Sequence, residues 1–169
     1  MGTTDEGTKF LRIYLEDHLA GATAGAQRAS RLAEAEANST DAPALATFAA
    51  DVATDLDALL ALMETTGIEP NRLKVGLASV GEKLGALKPN GRVSERSPLS
   101  TIVELEAMQM AVRGKRSLWE TLQVAMPKST PIDLTALMAR ADRQLDTLSG
   151  LHAARVAGTF TSSPGRQPT

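Results

Sequence analysis

An all-α fold is what this sequence predicts: a bundle of four long helices whose long middle crossover carries a short fifth helix. Three observations predict it. Apolar residues recur at alternating spacings of three and four over four long stretches, the period of one helical face. Hydrophobic residues make up 43% of the chain but aromatics only 3%, so the core is built from Ala, Leu, Val and Met, a palette that suits close-packed helices better than a sheet. The connections are unequal, with short polar links after the first and third stretches and a long span between the second and third.

The first helix is expected over 8–37. Leu11, Leu15, His18, Ala22, Gly25, Ala29 and Leu32 form its stripe, and Arg12, Glu16 and Arg31 point away. Its centre, AGATAGAQRA, is made of small residues and predicts the close approach of a neighbouring helix. Gly21 and Gly25 have the spacing of a membrane dimerisation motif, but Asp17, Arg28 and Arg31 flank them in a soluble pattern. The second helix is expected over about 42–66, with Thr40 or Asp41 as cap and Pro43 in its first turn. Leu45, Ala49, Val52, Leu56, Leu59, Leu60 and Met63 make its core face, wholly aliphatic, and Gly67 stops it.

Residues 68–96 are the crossover. Pro70 opens a shorter helix in which Leu73, Leu77, Val80, Leu84 and Leu87 repeat, and LKPNGRVSERS follows as a turn and an extended piece. The next helix, 97–123, organises the chain. Ser97 caps it with Pro98 at its first position. It is apolar on two faces: Leu99, Val103, Met110 and Gly114 lie on one line, and Leu105, Met108, Val112 and Trp119 nearly opposite. The first line is expected to face the bundle. The outer one, around Val112 and Trp119, is expected to take the short helix as cover, with a homodimer through the same two residues as the alternative.

Thr130-Pro131-Ile132-Asp133 has the spacing of a capping box and opens the last helix, whose stripe is Leu134, Leu137, Met138, Ala141, Leu145, Leu148, His152 and Val156. Residues 1–160 therefore read as a single helical bundle domain, and 161–169 as a mobile polar tail.

Composition excludes several function classes. Formal net charge is −2 with Lys and Arg scattered, and aromatics for base stacking are lacking, so no nucleic-acid partner is expected. The absence of Cys removes disulfides, thiolate catalysis and sulfur-ligated metals, and fits a reducing cytoplasm. The polar, acidic N-terminus is not expected to act as a signal peptide, Glu6 stands where a myristoylation signal needs Ser or Thr, and no run reaches the roughly 18 apolar residues of a membrane span.

In helix lengths, connection pattern and the texture of segments such as SPLSTIVELEAMQMAVRGKRSLW, residues 9–158 resemble the ferritin-like superfamily, in particular small bacterial ferritin-like proteins of unknown function. The resemblance implies two helical hairpins joined by a lengthwise crossover. It also implies a metal pattern that this chain departs from. Ferritin-like iron proteins carry a Glu on each of two helices and Glu-x-x-His on each of the other two. Here no Glu-x-x-His exists, and neither His18 nor His152 has an acid three positions before it. No di-iron site is expected, and with it no oxygenase, ferroxidase or peroxide chemistry.

The sharpest site expectation is a buried polar pair, Glu106 with His152, and Arg113 one or two turns further along. Glu106 falls beside Leu99, Val103 and Met110, and antiparallel third and fourth helices place it at the depth of His152. A structural role is preferred to a catalytic or metal one. His18 is expected as a buried neutral imidazole. Asp51, Asp55 and Asp57 lack the glycine and spacing of a calcium loop and read as solvated flanks. GLASVGEK at 76–83 mimics a phosphate loop, but Glu82 replaces its lysine and no strand precedes it. No catalytic set, cofactor or metal ligand set is assigned. The function expected first is a non-enzymatic binding or structural, stress-related protein with an unknown protein or small-molecule partner. An enzyme or metal protein built around Glu106 and His152 comes second. A small-ligand carrier using gaps left by Ala and Gly comes third.

Overall fold

The computed structural model describes residues 5–68, 97–126 and 132–161, and every regular element among them is helical. The four helices are α1 (Asp5–Ala35), α2 (Ala42–Thr65), α3 (Pro98–Ala125) and α4 (Leu134–Phe160). The short fifth helix, the phosphate-loop mimic, Thr130-Pro131 and the tail beyond 161 lie outside the described residues.

Local chemistry sets the helix ends. Ser97 accepts a hydrogen bond from the Leu99 amide at 3.3 Å, and Asp133 from the Ala136 amide at 2.9 Å, each satisfying a donor left free in the first turn. Asp41 precedes α2 without capping it, because its carboxylate is taken by Arg155, with Nε 2.7 Å from Oδ2. Gly67 ends α2 at φ +68°, a conformation that costs only glycine nothing, and the Ile68 amide closes back on the Met63 carbonyl at 3.0 Å.

The helices form a square in which α1 packs on α2 and α3, and α4 on α3 and α2. Two apolar clusters show their directions. One joins Leu15 and Leu19 of α1 to Leu59, Leu62 and Met63 of α2, Leu118, Trp119 and Leu122 of α3, and Leu134 and Leu137 of α4. The other joins Ala29 and Leu32 of α1 to Leu45, Phe48 and Val52 of α2, Leu105, Met108 and Val112 of α3, and Ala141 and Leu148 of α4. Each helix of a contacting pair thus enters one cluster as its neighbour leaves it, so contacting helices are antiparallel, while α2 and α3 run the same way. Ile68, buried in the first cluster, and Ser97, which opens α3 beside the second, lie at opposite ends of the bundle. That second end is tied by polar contacts: Arg155 bonds Glu36 Oε2 at 2.8 Å, and Thr101 donates to Glu36 Oε1 at 2.7 Å.

The orientation of α3 corrects the sequence reading. Val112 and Trp119 are buried among residues of the four helices, Trp119 at 0% exposure, and do not form an outer stripe. The line through Leu99, Val103 and Met110 is the outer one, and Met110 is 68% exposed. Area decides the choice. Ile102, Leu105, Met108, Val112, Leu118, Trp119 and Leu122 make the wider stripe, broken once by Lys115, and it includes the only tryptophan, whereas Glu106, Arg113 and Ser117 interrupt the other. Apolar burial is worth about 25 cal/mol per Å², and the wider stripe wins.

A buried polar layer and the cleft beside it

The site begins with a break in three stripes. Asp55 stands three residues after Val52 and four before Leu59, Lys115 three after Val112 and four before Trp119, and Gln144 three after Ala141 and four before Leu148. Each polar residue therefore fills a core position in mid-helix. Asp55 is 2% exposed, not a solvated flank residue, and α2 does not present a wholly aliphatic face. Asp51 is half-buried and Asp57 exposed.

The three polar residues meet. Asp55 accepts from Lys115 Nζ and from Gln144 Nε2 (2.9 Å) at Oδ2, and from Arg140 Nε (2.6 Å) at Oδ1. Lys115 Nζ also donates to Gln144 Oε1 at 2.5 Å. Every carboxylate oxygen has a donor, which is what a buried charge requires. Burial pushes the Lys115 ammonium below the ordinary lysine range and outweighs the opposing pull of Asp55, while the Arg140 charge adds to the lowering.

The polar groups that meet in this layer come from α2, α3 and α4, and α1 stands beside them. It contributes empty space. A cleft of about 300 Å³ lies between α1 and α3 with α2 as its back wall. A Cβ built on Gly21, Gly25 or Gly114, all in its lining, would meet no atom within 4 Å. The small residues of α1 thus open a cleft where a close helix approach was expected. The lining is mainly apolar, from Phe48, Val52, Leu59, Met108, Val112 and Trp119, with Asp17, His18, Asp55 and Lys115 as its titratable members. Tyr14 links α1 to α3 nearby, its hydroxyl donating to Thr121 Oγ1 at 3.1 Å, and its ring meets His18 edge-on at 4.5 Å. Burial pushes the His18 imidazole below the usual histidine range, opposed by Asp17. Among the described residues, both groups whose pKa is lowered, His18 and Lys115, line this one cleft.

Glu106 and His152 are brought together, with His152 Nε2 and Glu106 Oε1 3.1 Å apart. The pair is not buried: the Glu106 side chain is 53% exposed and that of His152 28%. The same rotation of α3 that buries Trp119 carries Glu106 outward. Arg113 is exposed, and no hydrogen bond or ion pair joins it to them. His18 lies with Leu15 and Leu19 towards one end of the bundle, and His152 follows Leu148 towards the other. They share no site. Among the described residues no group of three or more His, Asp or Glu is placed to hold a metal ion, and no helix is long and apolar enough to cross a membrane.

Sequence reasoning missed the Asp55 layer and the cleft. The signal for the layer was the interruption of three apolar stripes by residues of complementary character, one acid, one base and one amide. The signal for the cleft was a run of small residues on α1 opposite Gly114 on α3. Compared with family models, curated proteins and solved structures, the chain matches none.

Proposed function

We propose that this protein is a non-enzymatic binding protein, a bundle of ferritin-like topology that holds one small, predominantly apolar molecule in the α1–α3 cleft. The observation that carries the reading is that three glycines border open space beside two titratable groups shifted by burial. Pockets of this size with a few convergent polar groups are what small-molecule sites are made of. The topology part is supported by the parallel course of α2 and α3, which sets the two ends of the 69–96 connection at opposite ends of the bundle.

Size bounds the ligand. An engineered cavity of about 150 Å³ holds benzene, so a cleft of about 300 Å³ suits a molecule of about two fused rings. The test is titration of the full chain with naphthalene, followed by calorimetry and by the indole N–H resonance of Trp119, the only tryptophan. That N–H is buried with no hydrogen-bond partner, so it responds to any change around the ring. Saturable binding of one molecule per chain, lost in Gly21→Leu, supports the reading. Absence of saturable binding, or binding that Gly21→Leu leaves unchanged, refutes it.

A further inference from the structure

We propose that Lys115 is a covalent attachment point, its Nζ condensing with the carbonyl of an apolar aldehyde seated in the α1–α3 cleft to form a reversible imine. The inference rests on the cleft reading and deepens it by naming the ligand class.

Position comes first. Lys115 lines the cleft, its side chain is only 12% exposed, and its amine is held between Asp55 Oδ2 and Gln144 Oε1. A lysine on a flexible four-carbon stem is ordinarily a wandering point charge. This one is fixed at the edge of an apolar chamber, which removes much of the entropic cost of bringing amine and carbonyl together. The groups that act on it are Asp55 and Asp51 from α2 and Arg140 and Gln144 from α4, while Asp17 and His18 of α1 line the same cleft. Desolvation beside a second cation is an established way to make a lysine nucleophilic, and the lowered affinity of Lys115 for its proton agrees with it.

The step balances without any further reagent. Asp55 Oδ2, already the hydrogen-bond partner of the ammonium, takes one proton. The freed lone pair on Nζ attacks the carbonyl carbon, and the carbonyl π pair moves to oxygen, which is protonated to a carbinolamine. Loss of water then forms the carbon–nitrogen double bond. Overall, one ammonium and one aldehyde give one protonated imine and one water. The positive charge survives at nitrogen, so Asp55 keeps a cationic partner before and after condensation. A carboxylate ligand would instead place a further negative charge beside Asp17 and Asp55, which disfavours it.

The test incubates the full chain with 2-naphthaldehyde and sodium cyanoborohydride at pH 7, then locates the reduced adduct by peptide mass spectrometry. The expected result is one adduct per chain on Lys115, at least ten-fold above Lys9, suppressed by excess naphthalene at Lys115 but not at Lys9. Lys115→Arg should lose that adduct, and if this variant does not fold, the naphthalene competition decides. Lys115 labelled no faster than Lys9 while naphthalene still binds would overturn the covalent step and leave the cleft reading standing. Label on Lys115 that naphthalene does not displace would place the reaction outside the cleft and also overturn it. Failure of naphthalene itself to bind removes the cleft reading, and this inference with it.

Discussion

Among the acid–base pairs that join helices in this bundle, two differ in nearly everything except composition. Glu106 and His152 bridge α3 and α4 at the surface, one contact of 3.1 Å between half-solvated side chains. Asp55 and Lys115 join α2 to α3 through the interior, with Arg140 and Gln144 completing a closed set of hydrogen bonds. Pairing alone is not what makes a charge matter. A surface pair exchanges water for a partner at little net gain. A buried pair is neutral or costly when complete, and becomes severe when one member is removed.

The largest effect expected from this contrast is at Asp55. Asp55→Ala removes the acceptor shared by Lys115, Arg140 and Gln144 and should cost about 3–5 kcal/mol, read as a lower urea midpoint. Joint replacement by Asp55→Leu and Lys115→Met should recover most of that loss, because the uncompensated charge goes with its partner. If the double variant is as damaged as the single one, the layer is not held by mutual compensation.

Helix α1, which stands beside the layer, sharpens the contrast. Gly25→Ala on α1 adds a Cβ that meets nothing within 4 Å, so helix propensity alone acts. It should stabilise by about 0.5–1 kcal/mol. Destabilisation would mean that α1 sits closer to α3 than the cleft allows.

The two histidines separate the interior from the surface by pH. His18 has a lowered pKa when folded, so the unfolded chain binds more protons between that value and the usual histidine pKa of about 6.5. Stability contributed by neutral His18 is therefore complete above about pH 6.5 and is lost as pH falls through the folded value. Chemical unfolding between pH 7.5 and 5 should show that slope, and His18→Phe should flatten it. The smallest effect belongs to the surface pair. Glu106→Ala should cost less than about 1 kcal/mol, and less still in high salt. A loss comparable to that of Asp55→Ala would erase the distinction between the two pairs.

The same contrast explains what was legible. Periodicity located the helices, and cap residues such as Ser97 and Gly67 located several of their ends, because both signals are local. Glu106 and His152 could be placed at one depth from rise per residue once the third and fourth helices were taken as antiparallel. Which face of α3 turns inward was not local. Two apolar stripes competed, and the choice depended on the summed area of seven side chains against Glu106 and Arg113 on the other line. Asp55 was missed for a related reason. A carboxylate reads as solvated until its donors are seen, and Lys115, Arg140 and Gln144 lie 60 or more residues away in the chain. Small residues on α1 carried an ambiguity of sign, since Gly21 and Gly25 serve close packing and empty space equally well, and only the position of α3 decides.

The most direct measurement of the central claim is a crystal of the full chain under xenon pressure, since xenon enters apolar cavities and leaves polar ones to water. The account predicts xenon between α1 and α3, bordered by Gly21, Gly25 and Trp119, and its absence in Gly21→Leu. A closed α1–α3 seam, or a file of ordered waters along it with no xenon, would contradict the account.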